Sequence, residues 1–344
     1  MSRRALTLLL ASVLSIVLTA AAVATPVPYV ALGPGPTYNT LGAIKGTPVI
    51  DIKGAEVFAT DGHLDLTTVG VQPDLTLLEA LSGWFSRDLA VVPRDVVYPP
   101  GKTNEQVNEE NAQSMVASQN SAITAAAREL GFTTFAVSVG QVSAGSPADG
   151  KLRAGDVLVS VDGQQVKDEA GLRAAITAAG IGKTLRIAYT RGGTAGIAEV
   201  TPNASTDGKQ RPVIGIMPVQ RPVDLPFTVN ISLQDVGGPS AGLMFALGIL
   251  DKLGKASLTG GRYIAGTGEI SDDGTVGPIG GIPQKLIAAR AKGAVAFLVP
   301  EANCAEASLR PPAGLELVKV RSLQDALSGL AALRSGRTPT LCAA

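Results

Sequence analysis

Histidine occurs once in this 344-residue chain, at His63. A serine hydroxyl is a weak nucleophile that needs a neighbour to take its proton, and in most hydrolases that neighbour is histidine. His63 lies in the turn-like stretch Thr60-Asp61-Gly62-His63-Leu64, so a Ser-His-Asp triad would have to recruit it from a distant part of the chain. That scarcity points away from histidine-based hydrolysis. Cysteine is nearly as rare, with two residues, and two cysteines with one histidine speak against a structural zinc centre. Aromatic residues make up 4% of the chain. Lysine plus arginine number 29 and aspartate plus glutamate 29, so the formal net charge is zero and the basic excess of a nucleic-acid footprint is missing.

Charge is also missing locally. No charged residue interrupts Ala5 to Ala24, a stretch long enough to cross a bilayer core as a helix. Arg3 and Arg4 precede it and no basic residue follows until Lys45, so the positive-inside rule puts the N-terminal tip in the cytoplasm and everything after Thr25 outside. The alternative is a secreted protein, since Ala22-Val23-Ala24 fits a signal-peptidase site. The length of the apolar run favours a retained single-pass anchor in the cell membrane over a cleaved signal.

A serine occurs in Gly237-Gly238-Pro239-Ser240-Ala241-Gly242 and a lysine in Gly280-Gly281-Ile282-Pro283-Gln284-Lys285. Pro239 suits the first turn of a helix whose body is the apolar run Ala241 to Leu250, which predicts Ser240 at a helix N-terminus where free N–H groups can stabilise an oxyanion. Gly237 and Gly238 let the backbone approach a substrate carbonyl closely. By itself the segment could equally be a cap on a buried helix, since serine is a good N-cap. Lys285 is flanked by Pro278 to Pro283 and by Leu286-Ile287-Ala288-Ala289, surroundings that lower a lysine pKa and leave a neutral amine able to accept a proton.

These residues resemble the peptidase domain of the Lon protease family. The shared motifs are Gly-Pro-Ser-Ala-Gly at Gly238 to Gly242, Thr-Gly-Glu-Ile at Thr267 to Ile270, and Val276-Gly277-Pro278-Ile279-Gly280-Gly281-Ile282-Pro283-Gln284-Lys285. The resemblance implies Ser240 as nucleophile, Lys285 as general base, and Thr267 as a hydroxyl that orients the amine, with Gly238 supporting the nucleophile loop. Energy-dependent members carry an acidic residue three positions before the serine. Gly237 stands there in this chain, with Asp235 two residues further back, a departure from the family pattern. The nearest approach to a phosphate loop, Thr177 to Thr184, has Thr177 where the first glycine belongs and reads as a turn between a helix and a strand. No nucleotide or other cofactor is expected.

Residues from about Val137 to Val200 resemble a PDZ domain of the bacterial protease-associated kind, carried by Val142-Ser143-Ala144-Gly145-Ser146-Pro147-Ala148 and by Leu152 to Gly163. The pattern predicts a strand, a hairpin turned by Asp162-Gly163, an amphipathic helix at Glu169 to Ala179, and a closing strand from Thr184 to Arg191. Such domains take an extended peptide as an added strand. Val137, Val139, Leu172 and Ile176 are candidates for the groove, with the core the expected place of any one of them, and Gly131-Phe132-Thr133-Thr134 lies near where the loop that holds a peptide carboxylate would be, without its usual Gly-Leu-Gly-Phe form. In an oxidising compartment Cys304 and Cys342 are expected to pair, tying the tail to the domain; two unpaired thiols are the alternative.

The expected organisation is mixed α/β (α+β). It comprises a cytoplasmic tip (1–4), a transmembrane signal-anchor (5–24), an N-terminal extracytoplasmic region (25–130), a β-sandwich-like PDZ domain (131–202), a linker (203–211), a Lon-type peptidase domain (212–334) and a tail (335–344). Within 25–130, strands are expected near Val49 to Ile52 and Leu64 to Val71, then a helix with Leu75, Leu77, Leu78, Ala80 and Leu81 on one face, and another from Gln113 to Leu130. The region carries no assigned chemistry and is expected to join the protease domain. The functional expectation is an ATP-independent, membrane-anchored serine endopeptidase acting on exported or unfolded proteins, with protein or peptide partners admitted through the PDZ groove. The competing expectation is a catalytically silent PDZ scaffold at the membrane.

Overall fold

The computed structural model describes residues 3–205, 208–223, 225–233 and 236–343. Helix α1 (Arg3–Ala24) projects from the rest of the molecule with no buried residue. It is long and apolar enough to cross a membrane, a property that signal sequences share.

The chain then lays down β1 (Tyr29–Asn39), β2 (Ile50–Lys53) and β3 (His63–Gln72). Helix α2 (Leu77–Trp84) follows, started by a capping box in which Thr76 and Glu79 satisfy each other's backbone N–H groups. Strand β4 (Ala90–Pro93) leads to α3 (Asn104–Glu129), which begins upstream of the predicted Gln113. The reason is a second capping box, between Thr103 and Gln106, that starts the helix on a polar stretch with no apolar period to mark it. At the other end Gly131 takes φ +92°, a left-handed conformation that stops α3.

A self-contained unit comes next. It is built of β5 (Phe135–Val142), β6 (Val157–Val161), helix α4 (Glu169–Ala179), β7 (Leu185–Arg191), β8 (Thr194–Val200) and β9 (Ile216–Pro222). The strands form an antiparallel sheet in the order β8-β7-β6-β5-β9. After β6 the chain turns at Asp162 (φ +49°) and Gly163 (φ +82°), two left-handed residues in a two-residue loop that fits the strand twist. Val137, Val139, Leu158, Ile187 and Leu172 fill its core. Val137 and Val139 are therefore core residues and do not line the groove.

The chain returns with β10 (Thr228–Ile231), which pairs antiparallel with β2. Helix α5 (Gly242–Leu253), β11 (Tyr263–Gly266), the hairpin of β12 (Glu269–Ile270) and β13 (Val276–Gly277), α6 (Ile282–Ala291), β14 (Ala296–Pro300), β15 (Glu316–Val320) and α7 (Leu323–Arg334) complete it. The principal sheet runs β15-β14-β11-β3-β1-β4. Its β15, β14, β11 and β3 are parallel, and β1 and β4 are antiparallel additions. Every residue of β14 is buried, as befits a strand covered on both faces. Helix α5 is buried from Gly242 to Asp251 and joins Val49, Ile50, Leu64 and Leu66 with Leu298, Val318 and Leu330 in one core.

Two expectations about boundaries are corrected here. Residues 25–130 are not a separate region, because β1, β3 and β4 form half of the principal sheet and α3 packs against α5. Residues 203–222 are neither linker nor peptidase: Asn203–Ala204 pairs with Pro212–Val213, and β9 pairs with β5. The β5–β9 unit is thus inserted between α3 and β10, and its ends meet where Phe135 pairs with Pro222. The physical reason is that β3 finds its partner β11 some two hundred residues later, a pairing that no local pattern displays.

Candidate active site

Ser240 lies two residues before α5, whose N-cap position is Ala241 with no side-chain cap bond. The hydroxyl is therefore not used as a helix cap, and the alternative of a simple capping serine does not describe this loop. Gly238 sits at φ +85°, a conformation that suits glycine, and turns the chain into Pro239 and Ser240. Its N–H donates to the Asn111 carbonyl of α3 at 2.8 Å. About two turns further along α3, the buried Ser118 Oγ donates to the Pro239 carbonyl at 2.8 Å. Gly237 and Gly242 leave no room for a side chain: a Cβ on Gly242 would fall 2.8 Å from Ser118 Oγ and 2.7 Å from Ile270. Asp235 lies outside the described residues.

Lys285 is presented by the first turn of α6. That helix starts at Gly281 (φ +68°), with Pro283 just inside, and Asn303 fixes the approach by donating to the Ile279 carbonyl and accepting from the Ile279 N–H, both at 2.9 Å. The residue is 3% exposed. Its Nζ lies 2.9 Å from Ser240 Oγ and 2.9 Å from Thr267 Oγ1, donating to both in its charged form. Burial pushes the ammonium down to about 8, against the opposing pull of the Glu269 carboxylate. Fully buried Thr267 accepts from the lysine and donates to the Ser240 carbonyl at 3.0 Å, so a single hydroxyl spans the amine and the backbone of Ser240. The Ser240 carbonyl also accepts from the Gly268 N–H at 2.8 Å.

Ser240 and Lys285 open onto a cleft of about 470 Å³ whose facing wall is Leu66 to Gly70 of β3, with Pro36 of β1 beside it. His63 stands at the other end of β3, stacked on Tyr263 and 3.4 Å from Asp65, and does not line the cleft. Sequence reasoning brought Ser240, Lys285, Thr267 and Gly238 to attention. It missed the wall from β3, the Asn303 clamp, and Asn111 and Ser118 on α3. Asn111 acts through its backbone carbonyl, which has no sequence signal, and Ser118 is one serine among several on a polar helix.

A second groove of about 380 Å³ lies in the inserted unit, between Leu172, Arg173 and Ile176 of α4 and the segment Arg211 to Pro218. Leu172 and Ile176 belong to the unit's core and also line this groove. The opposite wall comes from the segment assigned to linker and peptidase, and Gly131 to Thr134 leads into β5 and is not part of the groove. Thr177 to Thr184 forms the end of α4 and the turn into β7. Cys304 and Cys342 form a disulfide with Cα atoms 5.2 Å apart, pinning the tail beside β15.

Comparison with known proteins fits this geometry. Residues 234–330 match the family model of the Lon protease (S16) C-terminal proteolytic domain, and residues 107–201 match that of the PDZ domain. Lon protease 2 of Bacillus subtilis is 34% identical over 114 residues, covering 33% of this chain and 20% of that protein. Lon protease 1 of Sorangium cellulosum is 38% identical over 103 residues, covering 29% and 12%. The chain thus spans a fifth or less of the length of these relatives. Among solved structures, the PDZ domains of SdrC-like proteins from Listeria monocytogenes and Listeria innocua are 32% and 34% identical, each covering 24% of this chain and 87% and 92% of theirs, with TM-scores of 0.23. The class is a serine peptidase domain of the Lon type. This chain carries that domain together with a PDZ domain.

Proposed function

We propose that this chain is an ATP-independent serine endopeptidase, held at the membrane by α1, that uses Ser240 as nucleophile and Lys285 as general base. The observation that carries the reading is a lysine amine, almost wholly buried and brought to about 8, within 2.9 Å of a serine hydroxyl on the wall of an open cleft. The neutral amine accepts the Ser240 proton as Oγ attacks the substrate carbonyl carbon. Charge moves to the carbonyl oxygen. The Gly238 N–H is already committed to Asn111, whereas the N–H groups of Ser240 and Ala241 meet no backbone acceptor among the described residues and belong to residues that line the cleft. They are the donors assigned to the oxyanion. The Lys285 ammonium then protonates the departing amine as the C–N bond breaks, leaving an acyl-Ser240 ester. Water gives its proton to the same amine, adds to the ester, and the collapse returns the proton to Ser240. Thr267 holds the amine toward Oγ throughout.

The cleft is open along β3, so an extended backbone running beside Thr67 to Gly70 is the natural substrate shape. Flexible or unfolded segments of exported proteins satisfy that requirement without an unfoldase. The groove between α4 and Arg211 to Pro218 selects or delivers them. The test is cleavage of a peptide library by the full chain in detergent, without nucleotide, in wild type, Ser240→Ala and Lys285→Ala. Cleavage by wild type alone supports the dyad; cleavage retained in either variant, or absent from all three, removes it.

A further inference from the structure

The leucines of α2 do not face the protein. The helix turns Ala80 and Gly83 toward the sheet, where a Cβ on Gly83 would meet Val91 at 2.6 Å, and leaves Leu77, Leu78, Leu81 and Trp84 exposed, followed by Phe85 at 89% exposure and Leu89. An apolar patch of this density on a folded surface marks an interaction site. Its position says with what. The Leu77 N–H donates to the Thr25 carbonyl at 3.0 Å, and Pro26–Val27 pairs with Leu75–Thr76. Helix α2 therefore starts where α1 ends, is held there by backbone hydrogen bonds, and packs against the last part of α1.

We infer that the exposed face of α2, with Phe85 and Leu89, lies in the lipid headgroup boundary of the membrane that α1 spans. This rests on reading α1 as a membrane span. Interfacial segments of this type combine leucine and phenylalanine with tryptophan at headgroup level, and here Trp84 is braced edge-on by Tyr29 with ring centroids 5.7 Å apart. Glu79, Arg87 and Asp88 supply a polar rim. The consequence is a second point of attachment that fixes the peptidase domain's tilt. Because β1 starts at Tyr29 and reaches the cleft at Pro36, the cleft lies at most about 23 Å along that strand from the lipid surface, at the usual rise per residue.

Trp84 is the chain's one tryptophan, so its fluorescence reports this patch alone. The full chain is reconstituted into phosphatidylcholine vesicles whose acyl chains carry bromine either near the ester end or near the methyl end, and flotation is measured alongside emission. The expected result is co-flotation, with most of the Trp84 emission lost to shallow bromine and little to deep bromine. The double variant Leu81→Ser/Phe85→Ser is expected to float still, through α1, and to lose the quenching. Flotation with unquenched, water-like emission overturns the inference while leaving α1 as an anchor. Unquenched but blue-shifted emission overturns it in favour of a protein partner or second copy covering the patch. Failure to float overturns both this inference and the anchor.

Discussion

The inserted PDZ unit and the peptidase unit solve the same problem, an apolar sheet that must be covered, with opposite use of the chain. The PDZ sheet draws every strand from residues 135–222, and its helix α4 caps a core assembled from neighbours in sequence. The peptidase sheet draws β1, β3 and β4 from before the insertion and β11, β14 and β15 from after it. The contrast teaches that the site is a product of long-range pairing. Ser240, Thr267 and Lys285 follow the insertion, but the wall opposite them and the helix that braces the Ser240 loop precede it.

The severest way to probe this contrast is at the dyad. Ser240→Ala or Lys285→Ala is expected to lower peptide turnover by about a thousandfold or more, measured as kcat on a fluorogenic peptide. Lys285→Met sharpens the result because it carries a stability sign. A lysine brought from 10.5 to about 8 binds fewer protons folded than unfolded at intermediate pH, so wild-type stability rises as pH goes from about 8 to 10.5 and is at its lowest below 8. Below pH 8, Lys285→Met is accordingly expected to unfold at higher denaturant than wild type, with an upper limit of about 3 kcal/mol at about 1.4 kcal/mol per pH unit.

The next largest effect concerns the tail. Reducing the Cys304–Cys342 link, or Cys342→Ser, is expected to cost the peptidase unit about 4 kcal/mol by the chain-entropy relation for a separation of 38 residues, read by urea unfolding, while a probe in the PDZ unit stays unchanged. A shared loss would mean the two units unfold as one.

Between these and the smallest effects lies pH. In the proposed mechanism Lys285 works as the neutral amine, so kcat is expected to rise about tenfold per unit as pH increases toward 8 and to level off above it. A flat profile across that range would remove lysine as the base.

Ser118→Ala cuts the link between the two halves of the peptidase unit at one hydrogen bond. Leaving the Pro239 carbonyl without its partner costs about 1–3 kcal/mol, and the expected result is a fall of roughly tenfold in kcat with KM little changed. Ser118→Thr is expected to restore part of it. A change in KM alone would assign Ser118 to substrate binding.

The smallest effect is expected from removing the PDZ unit altogether. Phe135 and Pro222 are paired neighbours, so a short glycine-serine linker in place of residues 135–222 spans the gap. Cleavage of small peptides should stay close to wild type while preference among long unfolded substrates is lost. Loss of folding would show that α3 depends on the PDZ sheet, which it touches through Thr124 Oγ1 and the Arg128 guanidinium at Gln220, each at 2.7 Å.

Legibility followed the same divide. Helix α4 spans Glu169 to Ala179 as the apolar period predicts, and Asp162-Gly163 makes the expected hairpin, because both are local patterns. Ser240, Thr267 and Lys285 were legible because they sit in short motifs. The apolar face predicted for α2 is split: Leu75 and Ala80 are buried while Leu77, Leu78 and Leu81 are exposed, since periodicity gives the direction of a stripe along a helix and not what the stripe meets. Helix α5 begins two residues later than Pro239 and Ser240 imply, because the loop is held by Asn111 and Ser118 instead of by its own cap.

By itself the sequence determined the apolar N-terminal helix, the PDZ pattern and the residue types of a serine–lysine pair, since each depends on neighbours within a few turns of chain. Only the tertiary structure decided that the PDZ unit interrupts the peptidase fold, that β3 walls the cleft, and that Lys285 is buried deeply enough to lose its proton near pH 8. Those outcomes depend on which strand lies beside which and on how much water remains around one amine, quantities set by contacts between residues far apart in sequence.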